Sequence, residues 1–135
     1  KAELLAVRPD GHGNVTDTHV EWIYQKNVSR RSSPVLWGNR LYMVDDGGVA
    51  TCLDTESGAM IWREKVGGNH SSSLILANGV IYSFNEFGDS RLFNADDTFK
   101  IVRENKLDVG MLASPAVKGN ALILRTKTHL YRIDS

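Results

Sequence analysis

The chain has 135 residues, 41% of them hydrophobic and 24% charged, a balance that fits one ordinary soluble globular domain and excludes intrinsic disorder. Sixteen basic residues offset sixteen acidic ones, and no long block of like charge occurs, so neither nucleic acid nor an anionic membrane surface is an expected partner. No apolar run approaches the roughly 20 residues of a membrane helix, and the lone Cys52 has no cysteine with which to form an internal disulfide.

In chain order, the apolar run from Glu3 to Val7 reads as a strand stopped by Arg8-Pro9-Asp10-Gly11. A long polar loop leads to Val20-Glu21-Trp22-Ile23-Tyr24, whose alternation puts Val20, Trp22 and Tyr24 on one face of a second strand. Residues 1–25 are therefore expected to be the end of an incomplete first unit. From Ser33 to Trp62 four short apolar runs are separated by turns at Gly38-Asn39, Asp46-Gly47-Gly48 and Ser57-Gly58, the punctuation of an antiparallel meander. Residues 33–65 form one such unit.

Residues 73–105 repeat the pattern. Ser73 to Phe84 supplies strand, Asn78-Gly79 turn and strand, and Leu92–Asp96 and Phe99–Arg103 supply two more, with no glycine in the turn between them. A third copy over residues 114–135 runs from Ser114 to Asp134, one strand short. Ser33, Ser73 and Ser114 are 40 and 41 residues apart, and Trp22, Trp62 and Val102 are each 40 apart. A period near 40 with four strands per period marks a propeller blade, whereas a helical repeat requires an apolar stripe that these β-branched and glycine-punctuated runs do not offer. The fold class is all-β, a β-propeller fragment of four-stranded antiparallel blades. A twisted sheet buries both faces only by stacking against neighbours. Two complete and two partial blades fall short of a closed ring of typically about four to eight, so the chain is expected to be a piece of a larger propeller whose remaining blades are its first partners.

Candidate chemistry is sparse. His12, His19, His70 and His129 share no zinc-ligand spacing, and His70 reads as a solvated loop residue between blades. Asp10 to Glu21 imitates a calcium loop, but Val15 stands where glycine makes the sharp turn, His12 replaces an oxygen ligand, and flanking helices are absent. Asp45 and Asp46 precede Gly47 and read as turn residues rather than an acid–base pair. Cys52 reads as a small buried hydrophobe. Asn14, Asn27 and Asn69 begin Asn-x-Ser/Thr triplets, which are glycosylation acceptors only in a eukaryotic secreted protein. No metal site and no catalytic residue emerges. A binding face, if the propeller uses one, is assigned by position to the rim carrying Arg30, Arg31, Asp45, Asp46, Asn69, His70, Glu86, Asp89, Arg125 and Lys127. Such mixed charge suits a protein or peptide partner as readily as a small molecule.

The stretch Leu53-Asp54-Thr55-Glu56-Ser57-Gly58-Ala59-Met60-Ile61-Trp62 resembles the repeat of the pyrroloquinoline quinone (PQQ)-like β-propellers. The resemblance implies that Asp54 and Gly58 shape the turn between third and fourth strands and that Trp62 packs between blades. Trp22 matches the preceding Trp, Val102 stands where the next is expected, and Asp134 opens the same motif in the last copy. The segment from Asn14 to Trp22 also resembles the C-terminal halves of bacterial PQQ-like repeat proteins. What the family implies is a noncatalytic binding or scaffold propeller of the bacterial cell envelope, periplasmic and without a cofactor. One alternative is part of a PQQ-dependent dehydrogenase, in which the quinone and calcium carry the chemistry; the adjacent Cys-Cys and the Glu/Asn/Asp calcium set of those enzymes have no counterpart in this chain. Another is a sensor propeller fused to a further domain such as a kinase.

A lone arc of blades exposes unpaired strand edges and apolar blade faces, so the 135-residue chain expressed by itself is expected to self-associate. Light scattering checks this, and a monodisperse, stable monomer contradicts it.

Overall fold

Short runs rich in Val, Ile, Leu and aromatic residues, interrupted by turns that need positive φ, fold as a series of antiparallel meanders. The computed structural model describes residues 2–134. β1 (Leu4–Val7) and β2 (Val20–Tyr24) pair as a two-stranded sheet, and β3 (Val35–Trp37), β4 (Arg40–Val44), β5 (Val49–Asp54) and β6 (Met60–Lys65) form a four-stranded one. A second four-stranded sheet contains β7 (Ile75–Ala77), β8 (Val80–Phe84), β9 (Asp89–Asn94) and β10 (Ile101–Lys106). The last, of three strands, contains β11 (Ala116–Lys118), β12 (Ala121–Arg125) and β13 (Leu130–Asp134). Every sheet is a simple meander with neighbours in sequence paired.

The core lies between the sheets rather than within any one of them. Tyr42, Val44, Cys52 and Trp62 of the β3–β6 sheet pack with Ile81 and Phe93 of the β7–β10 sheet. Trp62 is the hub, with its ring centroid 5.9 Å from Tyr42, 6.0 Å from Phe93 and 5.0 Å from Phe99. Burying an indole among three rings supplies apolar area and edge-to-face contacts together.

The indole nitrogen adds direction. Trp62 Nε1 donates to the carbonyl of Asp96, at 2.9 Å, in the turn between β9 and β10. One blade earlier, Trp22 Nε1 donates to the carbonyl of Thr55, also at 2.9 Å, in the turn between β5 and β6. Each Trp on the fourth strand of one blade thus clasps the third turn of the next.

That turn is shaped to receive it. Asp54 Oδ1 accepts the backbone N–H groups of Glu56 and Ser57 and the Ser57 hydroxyl, at 3.1, 2.9 and 2.8 Å. Those bonds, the Ser57 backbone N–H first, hold its carboxyl below the ordinary carboxylate range. Gly58 has φ +69°, and a Cβ there would lie 2.6 Å from the Trp22 ring, so both backbone and space require glycine. In the following blade Asn94 takes the place of Asp54. Its Oδ1 accepts Lys100 N–H at 2.7 Å and its Nδ2 donates to the Thr98 carbonyl at 2.9 Å, closing the turn without a glycine. Arg40 reinforces this seam, with Nη1 2.8 Å from Asp54 and Nε and Nη2 2.5 and 2.9 Å from the two oxygens of Asp97.

Strand register corrects the assignment of Val102 to the Trp position. Trp62 pairs with Cys52 across β5 and β6, with the bulge beside it at Ile61. In the next blade the residue opposite Leu92 is Arg103, and Val102 occupies the bulge. The cause is turn length, since five residues (55–59) separate β5 from β6 and six (95–100) separate β9 from β10. Arg103, not Val102, therefore stands where the indole stands elsewhere, facing the seam with the last sheet.

Replacing Trp62 by alanine removes ring contacts and donor together and is expected to cost about 3–5 kcal/mol. Trp62→Phe keeps much of the packing and loses the inter-blade hydrogen bond, a loss of about 1 kcal/mol for that bond. Urea denaturation of both variants separates the two effects, and a Trp62→Phe variant as stable as the parent would contradict the clasp.

Candidate functional site

Along one rim, each turn between second and third strands meets the connection that runs between blades. Val66 and Gly67 N–H both donate to the Gly48 carbonyl at 2.9 Å, and His70 N–H donates to the Asp46 carbonyl at 3.1 Å. Gly48, at φ +81°, approaches so closely that a Cβ would sit 2.3 Å from the Gly68 carbonyl. Further along, Glu86 N–H donates to Asn69 O at 2.7 Å, Leu107 N–H to Gly88 O at 2.9 Å, and Lys127 N–H to Gly110 O at 3.1 Å. These backbone bonds stitch the turns and connections of successive blades into one continuous edge.

One polar side chain caps each of the three turns. Asp45 Oδ1 accepts Gly47 and Val49 N–H at 3.0 and 2.8 Å, and Asn85 Oδ1 accepts Phe87 and Asp89 N–H at 3.0 and 2.9 Å. Thr126 Oγ1 accepts His129 N–H at 3.0 Å. Asp, Asn and Thr share only an oxygen that a backbone donor can reach, so their common role escapes a search for one residue type. The available signal was spacing, 40 and then 41 residues, the same steps as the serines.

The charged rim residues fall into distinct settings. Arg31 lies 3.8 Å from Asp46, 3.2 Å from Glu86 and 3.0 Å from the Ser71 hydroxyl, joining two blades. Arg30 contributes its backbone N–H to Asp46 Oδ1 at 3.0 Å, and Asn27 donates to Asp45 Oδ2 at 2.7 Å. Asp89 sits at the start of β9, bonded by Asn85 at 3.0 Å and 3.3 Å from Lys106. The Asn85 amide and then Lys106 hold its carboxyl below the ordinary range. Asn69, Arg125 and Lys127 are exposed.

His70 departs from its reading as a solvated loop residue. It is 2% exposed, with Nδ1 3.0 Å from the Gly68 carbonyl and Nε2 2.7 Å from the Ser83 hydroxyl. The turns stack over the connection and close above it. Sequence shows a Gly-Asn-His-Ser loop but not the roof that folding places on it.

Two acids of the calcium-like loop, Asp10 and Glu21, meet basic side chains. Arg8 pairs with Glu21 and lies 3.6 Å from Asp10, which His19 also approaches at 3.4 Å. Among the described residues no three His, Cys, Asp or Glu side chains converge. Those described residues thus present no carboxylate cluster of the kind that holds calcium. Cys52 is fully buried opposite Tyr42, and burial pushes its thiol up to about 11, leaving little thiolate to act as a nucleophile.

A concavity lies at the seam between the β7–β10 and β11–β13 sheets. Its volume is about 550 Å³, with Tyr82, Phe84, Leu92, Leu122 and Leu124 in its wall and Arg103 beside them. At the previous seam the corresponding space is filled by Trp62 and Phe99.

Burial holds the His70 imidazole below its ordinary pKa of 6.5. A depressed folded-state value means the stabilisation is fully present above 6.5 and is lost as pH falls from there through the folded-state pKa. The urea midpoint is expected to drop on acidification below pH 6.5, and His70→Gln to flatten that slope. The same acid slope in both proteins would contradict this.

The family model described as outer membrane protein assembly factor BamB matches residues 14–135. Among solved structures, the crystal structure of BamB from Moraxella catarrhalis aligns with a TM-score of 0.67 at 15% identity, covering 85% of this chain and 36% of that one. A europium-containing methanol dehydrogenase aligns with a TM-score of 0.56 at 20% identity, covering 67% of this chain and 19% of that one. No curated protein sequence matches. This chain thus spans about a third of the BamB structure, and the repeating sheets, their clasping tryptophans and both neighbours agree on an arc of a propeller whose fold other blades complete. The chain belongs to the PQQ-like propeller family described as outer membrane protein assembly factor BamB.

Proposed function

We propose that this arc serves a noncatalytic binding or scaffold role in a larger propeller of the bacterial cell envelope, facing the periplasm. Its rim meets protein or peptide partners, and its flanks meet other blades of the same propeller. The observation that carries this reading is the employment of the rim's polar groups. Asp45, Asp46 and Glu86 are spent on turns, backbone donors and Arg31, and His70 is sealed beneath them. None is left as a poised acid, base or nucleophile of the kind catalysis needs. The description of the family as an assembly factor supports the same direction.

The dehydrogenase reading draws on the methanol dehydrogenase neighbour, a likeness of fold. Under the scaffold reading no cofactor is needed. Titrating the full natural protein with PQQ and calcium, or with PQQ and europium, is expected to give no saturable change in the quinone absorption and no dye-linked alcohol oxidation. Saturable binding with turnover would overturn the reading. Cell fractionation is expected to recover the protein with the envelope, and a cytoplasmic location would overturn the compartment.

A further inference from the structure

Away from the rim, the fourth strands of successive blades stand side by side at the outer edge, and the repeat changes its charge there. On β9 and β10, Arg91 and Glu104 lie opposite each other in register. Arg91 Nε donates to Glu104 Oε1 at 2.7 Å, and its Nη1 reaches the Val66 carbonyl of the preceding blade. One repeat earlier, 40 and 41 residues back, the same two places hold Thr51 and Arg63, again opposite each other. The guanidinium has moved to the outer strand and the carboxylate has been lost.

Arg63 is thereby left short of acceptors. Its Nη2 donates to the Tyr24 hydroxyl at 2.6 Å, while its Nε and the Thr51 hydroxyl are both shut away from water without a partner. Buried donors are seldom left in that state. Among the described residues neither Arg63 nor Lys26 makes an ion pair. Acids on the adjoining strands are committed or turned away. Glu3 accepts from Gln25 at 2.6 Å, Glu21 pairs with Arg8, and Glu64 lies opposite Ala50 on the face packed toward the next blade.

Space adjoins these donors. A groove of about 340 Å³ runs between β2 and β6, with Tyr24, Lys26, Met60 and Arg63 in its wall, at the lower end of the size that small ligands occupy. Both strands that bound it are complete. One end is basic, and Met60, 47% exposed, supplies an apolar floor. A guanidinium with free donors beside a second cation selects an anion of planar, two-oxygen geometry.

We propose that this groove is a binding site for a small aliphatic carboxylate. The carboxylate accepts from the Arg63 guanidinium in the place that Glu104 fills for Arg91 one repeat later, Lys26 adds positive charge, and the stem lies on Met60. The site is off the rim and goes beyond the scaffold reading, so its failure leaves that reading untouched. Weakening by salt follows, because the groove is open to solvent.

The test is NMR of the full natural protein, isotope-labelled at arginine, titrated with sodium butyrate at constant ionic strength. The sheltered Arg63 Nε–H is expected to shift and to saturate in the millimolar range, while the Arg91 Nε–H, already paired, stays in place. Butyramide, of the same shape without the charge, is expected to move neither. Affinity is expected to fall at least about tenfold in Arg63→Gln, the scale of a hydrogen bond to a charged group. Met60→Ser is expected to remove the advantage of butyrate over acetate and to leave acetate binding as it was. Unfolding midpoints check that both variants fold, and the butyramide comparison and Met60→Ser decide the matter should Arg63→Gln fail to. Absence of a saturable shift, an equal response to butyramide, or affinity indifferent to both substitutions overturns the site. An end-blocked glutamate peptide that binds more tightly than butyrate overturns the small-acid assignment in favour of a protein carboxylate.

Discussion

A single hydrogen bond, repeated, organises this chain: an indole N–H on the fourth strand of one blade reaching a carbonyl in the third turn of the next. It works because several local requirements coincide. The turn must expose an otherwise unused carbonyl, which the Asp54 carboxylate arranges by gathering the neighbouring N–H groups. Gly58 must be bare, because the indole of Trp22 rests against its Cα. The ring must then be large enough to fill the wedge between diverging sheets, as Trp62 does among Tyr42, Phe93 and Phe99. Packing supplies most of the free energy and the N–H supplies the register.

Secondary contacts reinforce what the indole fixes. The Ser33 N–H donates to Ser73 Oγ at 3.0 Å and the Ser73 N–H to Ser114 Oγ at 2.9 Å, tying the starts of successive blades. Rim turns and connections share carbonyls across each junction. Where the series changes, at Arg103, an apolar space of about 550 Å³ remains at the seam.

Architecture was legible in the sequence because strand chemistry and a 40-residue period are one-dimensional signals that survive individual substitutions. The roles of Trp22 and Gly58 emerge from the motif, and their mutual contact follows once blades are stacked. Other features depend on relations that spacing by itself conceals. One extra residue in the turn before β10 moves the indole position from Val102 to Arg103, a shift that counting in fixed steps cannot detect. Asp45, Asn85 and Thr126 share a function through one oxygen rather than a residue type. His70 is enclosed by groups distant along the chain. The rim's position could be assigned from topology, but which of its charges are already paired depends on side-chain reach, as Arg31 shows by crossing to Glu86 in the next blade.

The serine ladder has one further implication. Each link runs from a backbone donor on the earlier blade to a hydroxyl on the later one, so the arc has a head and a tail. Ser114 N–H and Ser33 Oγ are the groups that would continue it in opposite directions. Surfaces related this way are complementary rather than self-matching, and repeated joining of such surfaces produces rotation about an axis instead of a two-fold pair. Direction of assembly is therefore encoded in which atom of a serine each blade offers its neighbour.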